Sequence, residues 1–305
     1  MSEQPDLFEP TRDFPDPDAT GRYDALVGLD DIKERLNKEA LLRLDGGRLE
    51  QWSRRHHGAT IAALTYFRDR PPFFLFAGDV GTGKTQLAET FGDRLATETH
   101  LPVSFRKLTL NARGSGRVGE MTNLIAAAFS EVEQVARIFV RGNRRTGATI
   151  LVIDEADALA QSRDLQQMHH EDRAGVNALI RGIDRIAQES LPVVVVACTN
   201  RAEAIDPALR RRAAQTFLFE RPNDEQRAAV LAAVLGGLDF SRDEIRQLVQ
   251  ATGPADGRAY GMTYSDLTQQ LVPAAVLEAF PDQPLTFERL LARARSQHPT
   301  APFGS

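Results

Sequence analysis

The sequence predicts an α/β domain on a parallel sheet of five strands flanked by helices, followed by a small all-helical domain. Three observations carry this expectation. Short, nearly continuous apolar runs have the length and composition of strands buried on both faces: "PFFLFA" (72–77), "SFRKLTL" (104–110), "TILVID" (149–154), "VVVVACT" (193–199) and "QTFLFE" (215–220). Helical patterns such as "TQLAETFGDRLATE", "GEMTNLIAAAFSEVEQVARIF" and "RAGVNALIRGIDRIAQE" separate them, which is the alternation of parallel crossovers. After Pro222 the strand signals stop, and "DEQRAAVLAAVLGGL", "SRDEIRQLVQATG", "TYSDLTQQLVPAAVLEAF" and "TFERLLARARSQ" read as consecutive helices.

Taken in order, residues 1–22 read as a disordered leader, with Pro5, Pro10, Pro15 and Pro17 among acidic residues. A large α/β domain is expected over 23–221 and a helical domain with a flexible C-terminal end over 222–305. The first helix follows "YDALVGLDD", with Ile32, Leu36, Ala40 and Leu44 at helical spacing and Asp30 and Asp31 at its start. Composition excludes several classes of function. The 305 residues are 42% hydrophobic and 26% charged, ordinary for a globular chain. The apolar runs fall short of the roughly 20 residues that cross a bilayer, and the start lacks a secretory pattern, so a cytoplasmic location without membrane partners is expected. The single cysteine, Cys198, reads as a core side chain. A net charge of −5 gives no global attraction to nucleic acid. The basic runs at 54–57 and 141–145 read as solvated loops, and the pairs His56/His57 and His169/His170 lack zinc spacing.

Chemistry enters at "GDVGTGKTQ", 78–86, between the first strand and a helix. It fits G-x-x-x-x-G-K-[ST], in which glycines let backbone N–H groups close around phosphate at a helix N-terminus. Asp79, Val80, Gly81, Thr82, Gly83, Lys84, Thr85 and Gln86 are therefore the expected nucleotide-binding residues, with Lys84 on the β- and γ-phosphates and Thr85 on Mg²⁺. The third strand ends in Asp154–Glu155. A carboxylate there holds the metal through its water shell, and its neighbour polarises the attacking water. Asp154 takes the first role, Glu155 the second, and Asp157 reads as a turn or cap residue. Asn200, at the end of the fourth strand, is placed to orient water or touch the γ-phosphate. Arg211 and Arg212 follow, either as a solvated helix end or as arginines given to the nucleotide of a neighbouring subunit, which demands an oligomer.

These residues together resemble the AAA+ ATPases of the AAA-proper group over about 24–280. "GDVGTGKT", "ILVIDEADAL", "ACTNRAEAIDPALRRR" and "GMTYSDL" are similar to that group's phosphate loop, acidic motif, first sensor and lid motif. "ALVGLDDIKERL" resembles its leading segment, and the resemblance implies that Gly28 lines the adenine. "EDRAGVNALIRGIDRI", with the single arginine before "A-A-Q-x-F" at Arg212, is similar to the pachytene-checkpoint ATPases that remodel HORMA-domain proteins. The resemblance implies a homo-hexameric ring using ATP and Mg²⁺. It also implies a HORMA-domain protein as substrate and, indirectly, a cGAS/DncV-like nucleotidyltransferase complex whose antiphage signalling the ring holds off.

Three departures matter. "SGRVGE" puts Arg117 and Val118 where such rings present an aromatic pore residue, the lid position of a second sensor arginine is Ser265, with Arg258 nearby, and a folded adaptor-binding domain ahead of the ATPase domain is not expected. The competing readings are another AAA-proper disassembly ATPase, a nucleic-acid-stimulated AAA+ motor and a nucleotide-gated scaffold. The acidic balance weighs against nucleic acid, and Asp154, Glu155 and Asn200 weigh against a scaffold.

Overall fold

The computed structural model describes residues 8–109, 120–142, 144–159, 169–255 and 258–302. Its main sheet has six strands in the order β1-β3-β6-β7-β2-β8. These are β1 (Arg12–Phe14), β2 (Phe73–Gly78), β3 (Val103–Thr109), β6 (Ala148–Asp154), β7 (Val193–Thr199) and β8 (Gln215–Phe219). β3, β6, β7 and β2 pair in parallel, β6 to β3 from Val103↔Ala148 to Thr109↔Asp154 and β7 to β2 from Phe73↔Val195 to Ala77↔Thr199. A hairpin of β4 (Val140–Arg141) and β5 (Arg144–Arg145) stands apart from this sheet.

Two compact units divide the chain. The first comprises Met1–Tyr23, Asp31–Ala77 and Thr85–Leu218, and the second Asp24–Asp30, Gly78–Lys84 and Phe219–Ser305. The sequence expects its second domain from 222 onward; the phosphate loop and Asp24–Asp30 group with that helical part as well.

In the first unit, strand side chains are nearly all buried, including Phe73, Leu75, Leu151, Ile153, Val193 and Val195. This follows from helices covering both faces, so that alternation gives way to continuous apolar runs. On one face α6 (Glu120–Ile138) and α7 (His169–Gln188) supply Ile125, Phe129, Val132, Leu179, Ile183 and Ile186 to the core. A Cβ at Gly182 would lie 2.3 Å from the Phe129 ring, so only glycine lets these helices approach so closely. α5 (Lys84–Thr99) carries the buried Leu87, Phe91 and Leu95.

The leader departs from expectation. From Phe8 onward it is part of the fold: β1 pairs antiparallel with β3, and α1 (Pro17–Asp24) follows. Phe8 and Phe14 are buried, and Phe14 meets Phe105 edge-on at 5.9 Å. Asp93 of α5 accepts the Asp16 N–H at 2.7 Å and the Thr20 hydroxyl at 2.6 Å. Of the prolines that read as disorder, Pro10 and Pro15 lie at bends and Pro17 opens α1, in a segment held by two phenylalanines. An antiparallel strand on the edge of a parallel sheet also blunts an open row of backbone groups.

The second unit contains α9 (Asp224–Val234), α10 (Arg242–Thr252), α11 (Val272–Ala279) and α12 (Phe287–Ser296). Asn223 with Gln226 and Ser241 with Glu244 form capping boxes, which fix where α9 and α10 begin. The buried Asp266 accepts the N–H groups of Thr263 at 2.8 Å and Thr300 at 3.1 Å, tying the chain end to the turn before α11.

Packing of the leader makes a testable demand. A Cβ at Gly92 would sit 2.5 Å from the Phe14 ring, so Gly92→Ala should cost about 1–3 kcal/mol through overpacking despite the better helix propensity of alanine. In a Phe14→Ala background the same change should cost clearly less, measured by denaturant unfolding. Strict additivity of the two substitutions would contradict this packing.

Candidate functional site

The phosphate loop belongs to the second unit. Gly81 and Gly83 have φ of +74° and +93°, and a Cβ at Gly78 would stand 2.0 Å from the Phe219 carbonyl oxygen. Glycine is thus required by conformation and by contact, as the motif implies. Lys84, 5% exposed, turns its ammonium onto the loop, donating to the carbonyls of Gly78 at 3.0 Å and Asp79 at 2.6 Å. Thr82 donates its hydroxyl to the Asp79 carbonyl at 2.7 Å, and the Val80 N–H donates to the Asp79 carboxylate at 2.9 Å. These contacts hold the loop in a closed curve.

Arg221 is a residue the sequence reading missed. It grips the Asp79 carboxylate with Nε at 2.8 Å and Nη2 at 2.5 Å, and it also donates to the carbonyls of Gly261 and Thr300. No local motif announces this pair, because its members lie far apart in the chain. Gly28, with φ of +81°, gives its carbonyl to Gln226 at 2.6 Å and to the Tyr264 hydroxyl at 3.3 Å. Burial first, and the charge of Asp30 second, push the Tyr264 phenol up to about 12, so it remains a donor. Ser265 approaches Gly81 through its backbone N–H, 3.1 Å from the Gly81 carbonyl. Arg258 is occupied with the carbonyls of Ala251 and Gly253 at the end of α10, which accounts for it structurally.

The first unit holds the acidic motif. Asp154, at the end of β6, accepts the Thr85 hydroxyl at 3.2 Å and the Glu155 N–H at 3.0 Å, both on Oδ1. Its Oδ2 lies 3.5 Å from the ammonium of Lys107 on β3. Burial alone would lower the Lys107 pKa; the hydrogen bond and charge of Glu89, the charge of Asp154 and the hydrogen bond of Glu9 outweigh it and hold the group above the ordinary lysine value. Glu155 has φ of +54°, a left-handed conformation that a non-glycine residue adopts at a cost of about 1–3 kcal/mol and that clusters at functional positions. Asp157 is buried and caps the end of β7: it accepts the Thr199 hydroxyl at 3.2 Å and the Asn200 N–H at 3.4 Å, which fixes the backbone carrying Asn200. Gln86 donates to the Arg22 carbonyl at 3.1 Å, so it serves the leader in this structure.

Arg212 donates Nε to both oxygens of Asp184 on α7, at 3.0 and 3.2 Å. Arg211 is exposed and has no side-chain partner among the described residues. The two arginines are therefore not equivalent, a distinction that spacing alone does not make. Arg117 and Val118 lie outside the described residues. Cys198 is buried, as a core residue should be. No helix among the described residues is long and apolar enough to cross a membrane.

Each unit by itself holds donors that suit part of a magnesium nucleotide. Thr85 and Asp154 present a hydroxyl and a carboxylate in mutual contact. These are the hard oxygen donors that suit a cation shared with phosphates and water. Lys84 rests on neutral carbonyls, and a phosphate oxygen would give it stronger, charge-assisted bonds.

Residues 74–221 match the ATPase family associated with various cellular activities (AAA). CD-NTase-associated protein 6 of Escherichia coli strain MS 115-1 is 46% identical, over 98% of this chain and 96% of that protein. Among solved structures, a chain from the E. coli MS115-1 HORMA:CdnC:Trip13 complex superposes with a TM-score of 0.91 at 45% identity, covering 98% of this chain and 99% of its own. A Trip13 of Rhizobiales gives a TM-score of 0.78 at 43% identity, covering 97% and 100%. Motif, fold and near full-length similarity agree: the chain belongs to the AAA family of nucleotide-binding ATPases, alongside CD-NTase-associated protein 6 and bacterial Trip13.

Proposed function

We propose that this chain is a Mg²⁺-dependent, ring-forming ATPase that disassembles or unfolds a HORMA-domain protein complex and so restrains a cGAS/DncV-like nucleotidyltransferase in antiphage signalling. The observation that carries it is the near full-length likeness to a chain of the HORMA:CdnC:Trip13 complex. The contact of Thr85 with Asp154 beside a strained Glu155 supports the ATPase cycle that such work requires.

On this reading Lys84 exchanges its loop carbonyls for the β- and γ-phosphates, and Thr85 and Asp154 hold Mg²⁺. A cation held by these two residues would neutralise charge on the phosphates. Glu155 takes the proton of the attacking water, and Asn200, its backbone fixed by Asp157, orients that water. Arg211, exposed and unpartnered among the described residues, is the arginine extended to a neighbouring subunit of a homo-hexamer, and Arg212 with Asp184 holds the segment that presents it. Remodelling needs no tight grip on substrate, because a folded domain is stabilised by only about 5–15 kcal/mol and repeated cycles can disengage one terminal segment.

Lys84→Ala should abolish binding of a fluorescent ATP analogue; retained binding would refute the phosphate-loop assignment. Glu155→Gln should keep that binding and lose hydrolysis by roughly 10²–10⁴-fold. Arg211→Ala should bind ATP but hydrolyse it roughly 10³-fold more slowly. Mixing it with Lys84→Ala subunits should restore part of the rate, and no rescue at any ratio would argue against an arginine acting between subunits. Steady-state hydrolysis should rise with a HORMA-domain protein of the kind found in the HORMA:CdnC:Trip13 complex and not with DNA; stimulation by DNA alone would replace the remodelling function with a nucleic-acid motor.

A further inference from the structure

The cation beside Asp154 belongs to no recognised motif. Lys107 is on β3, where Thr109 pairs with Asp154 and Lys107 with Val152. Its side chain is 12% exposed, and its ammonium lies 2.7 Å from Glu89 Oε1, 3.2 Å from Glu9 Oε2 and 3.5 Å from Asp154 Oδ2. Glu89 stands one helical turn after Thr85 on α5. Glu9 belongs to the leader, and its backbone N–H donates to the Lys107 carbonyl at 3.0 Å. Arg12 and Arg22 approach the other oxygen of Glu89 at 3.7 and 3.8 Å.

Among the described residues, these three carboxylates face three cations, Lys107, Arg12 and Arg22. The distances rank the partners: Glu89 holds the ammonium in a short hydrogen bond, Glu9 at intermediate range, and Asp154 at ion-pair range. The lysine is drawn away from Asp154 by two carboxylates, one of them supplied by the leader. A divalent cation at Asp154 meets a like charge in this ammonium, and in a partly buried setting that repulsion is only weakly screened.

We propose that Lys107 is a positioning residue that sets the Mg²⁺ requirement of nucleotide binding, and that Glu9 of the leader sets how far Lys107 leans on Asp154. This rests on the assignment of Asp154 to Mg²⁺. The signs follow from charge. Without the ammonium, Asp154 attracts Mg²⁺ more strongly; without the Glu9 carboxylate, Lys107 has one competing anchor fewer and opposes Mg²⁺ more. The leader then serves as more than a cover for the sheet edge, because whatever displaces it alters metal affinity at the nucleotide.

The test is binding of a fluorescent ATP analogue to the full chain carrying Glu155→Gln, with Mg²⁺ titrated from chelated zero to millimolar. Lys107→Met should lower the Mg²⁺ half-saturation roughly five- to tenfold and Glu9→Gln should raise it roughly two- to threefold. Lys107→Arg should stay within about twofold of the parent, and Arg94→Met, which removes a cation paired with Glu98 farther along α5, should leave the half-saturation unchanged. An unchanged half-saturation in folded Lys107→Met, or shifts of the same sign in Lys107→Met and Glu9→Gln, would overturn the proposal. If Lys107→Met fails to fold, the more exposed Glu9→Gln decides alone, and no rise in its half-saturation overturns the proposal. Loss of all Mg²⁺ dependence in the parent would instead remove the Asp154 assignment, and this inference with it.

Discussion

Everything chemical in the first unit depends on one carboxylate at the end of a buried strand. Asp154 leaves β6 where the apolar core ends, and its oxygens are shared among a hydroxyl from α5, the N–H of Glu155 and the ammonium of Lys107. A charge in that position is stable only because donors surround it. The parallel sheet supplies them by register, since β3 and α5 deliver Lys107, Glu89 and Thr85 to the same strand end. Glu155 follows in a conformation that the neighbouring structure must enforce.

In the second unit the governing constraint is steric. Gly78 and Gly81 have no room for a side chain, against the Phe219 carbonyl and against Thr263 and Ser265 respectively. Arg221 then holds Asp79, so that the loop's curvature is set by an ion pair as well as by glycine. Arg258 is engaged by the carbonyls of Ala251 and Gly253 at the end of α10.

Those features that follow from local rules were legible in the chain. The sheet strands other than the leader's lie within a residue or so of the apolar runs, because burial on both faces writes itself as continuous hydrophobicity. Gly78, Lys84, Thr85, Asp154 and Glu155 were named from spacing as candidates for a nucleotide site, and Asp157 was read as a turn or cap residue. What escaped depends on distant pairing: Asp79 with Arg221, Arg212 with Asp184, and Lys107 with Glu9. The leader escaped for a different reason. Its proline and acid content matches disorder, whereas its place in the fold depends on Phe8 and Phe14 finding buried sites and on antiparallel pairing with β3.

On the proposed function, Asp154 is the residue through which Mg²⁺ and nucleotide binding are linked. Calorimetric titration of ATP into Asp154→Asn, with and without Mg²⁺, tests this most directly. The Mg²⁺-dependent part of the affinity should disappear while Mg²⁺-free binding through the phosphate loop persists. An Asp154→Asn chain that still gains affinity with Mg²⁺ as the parent does would contradict it.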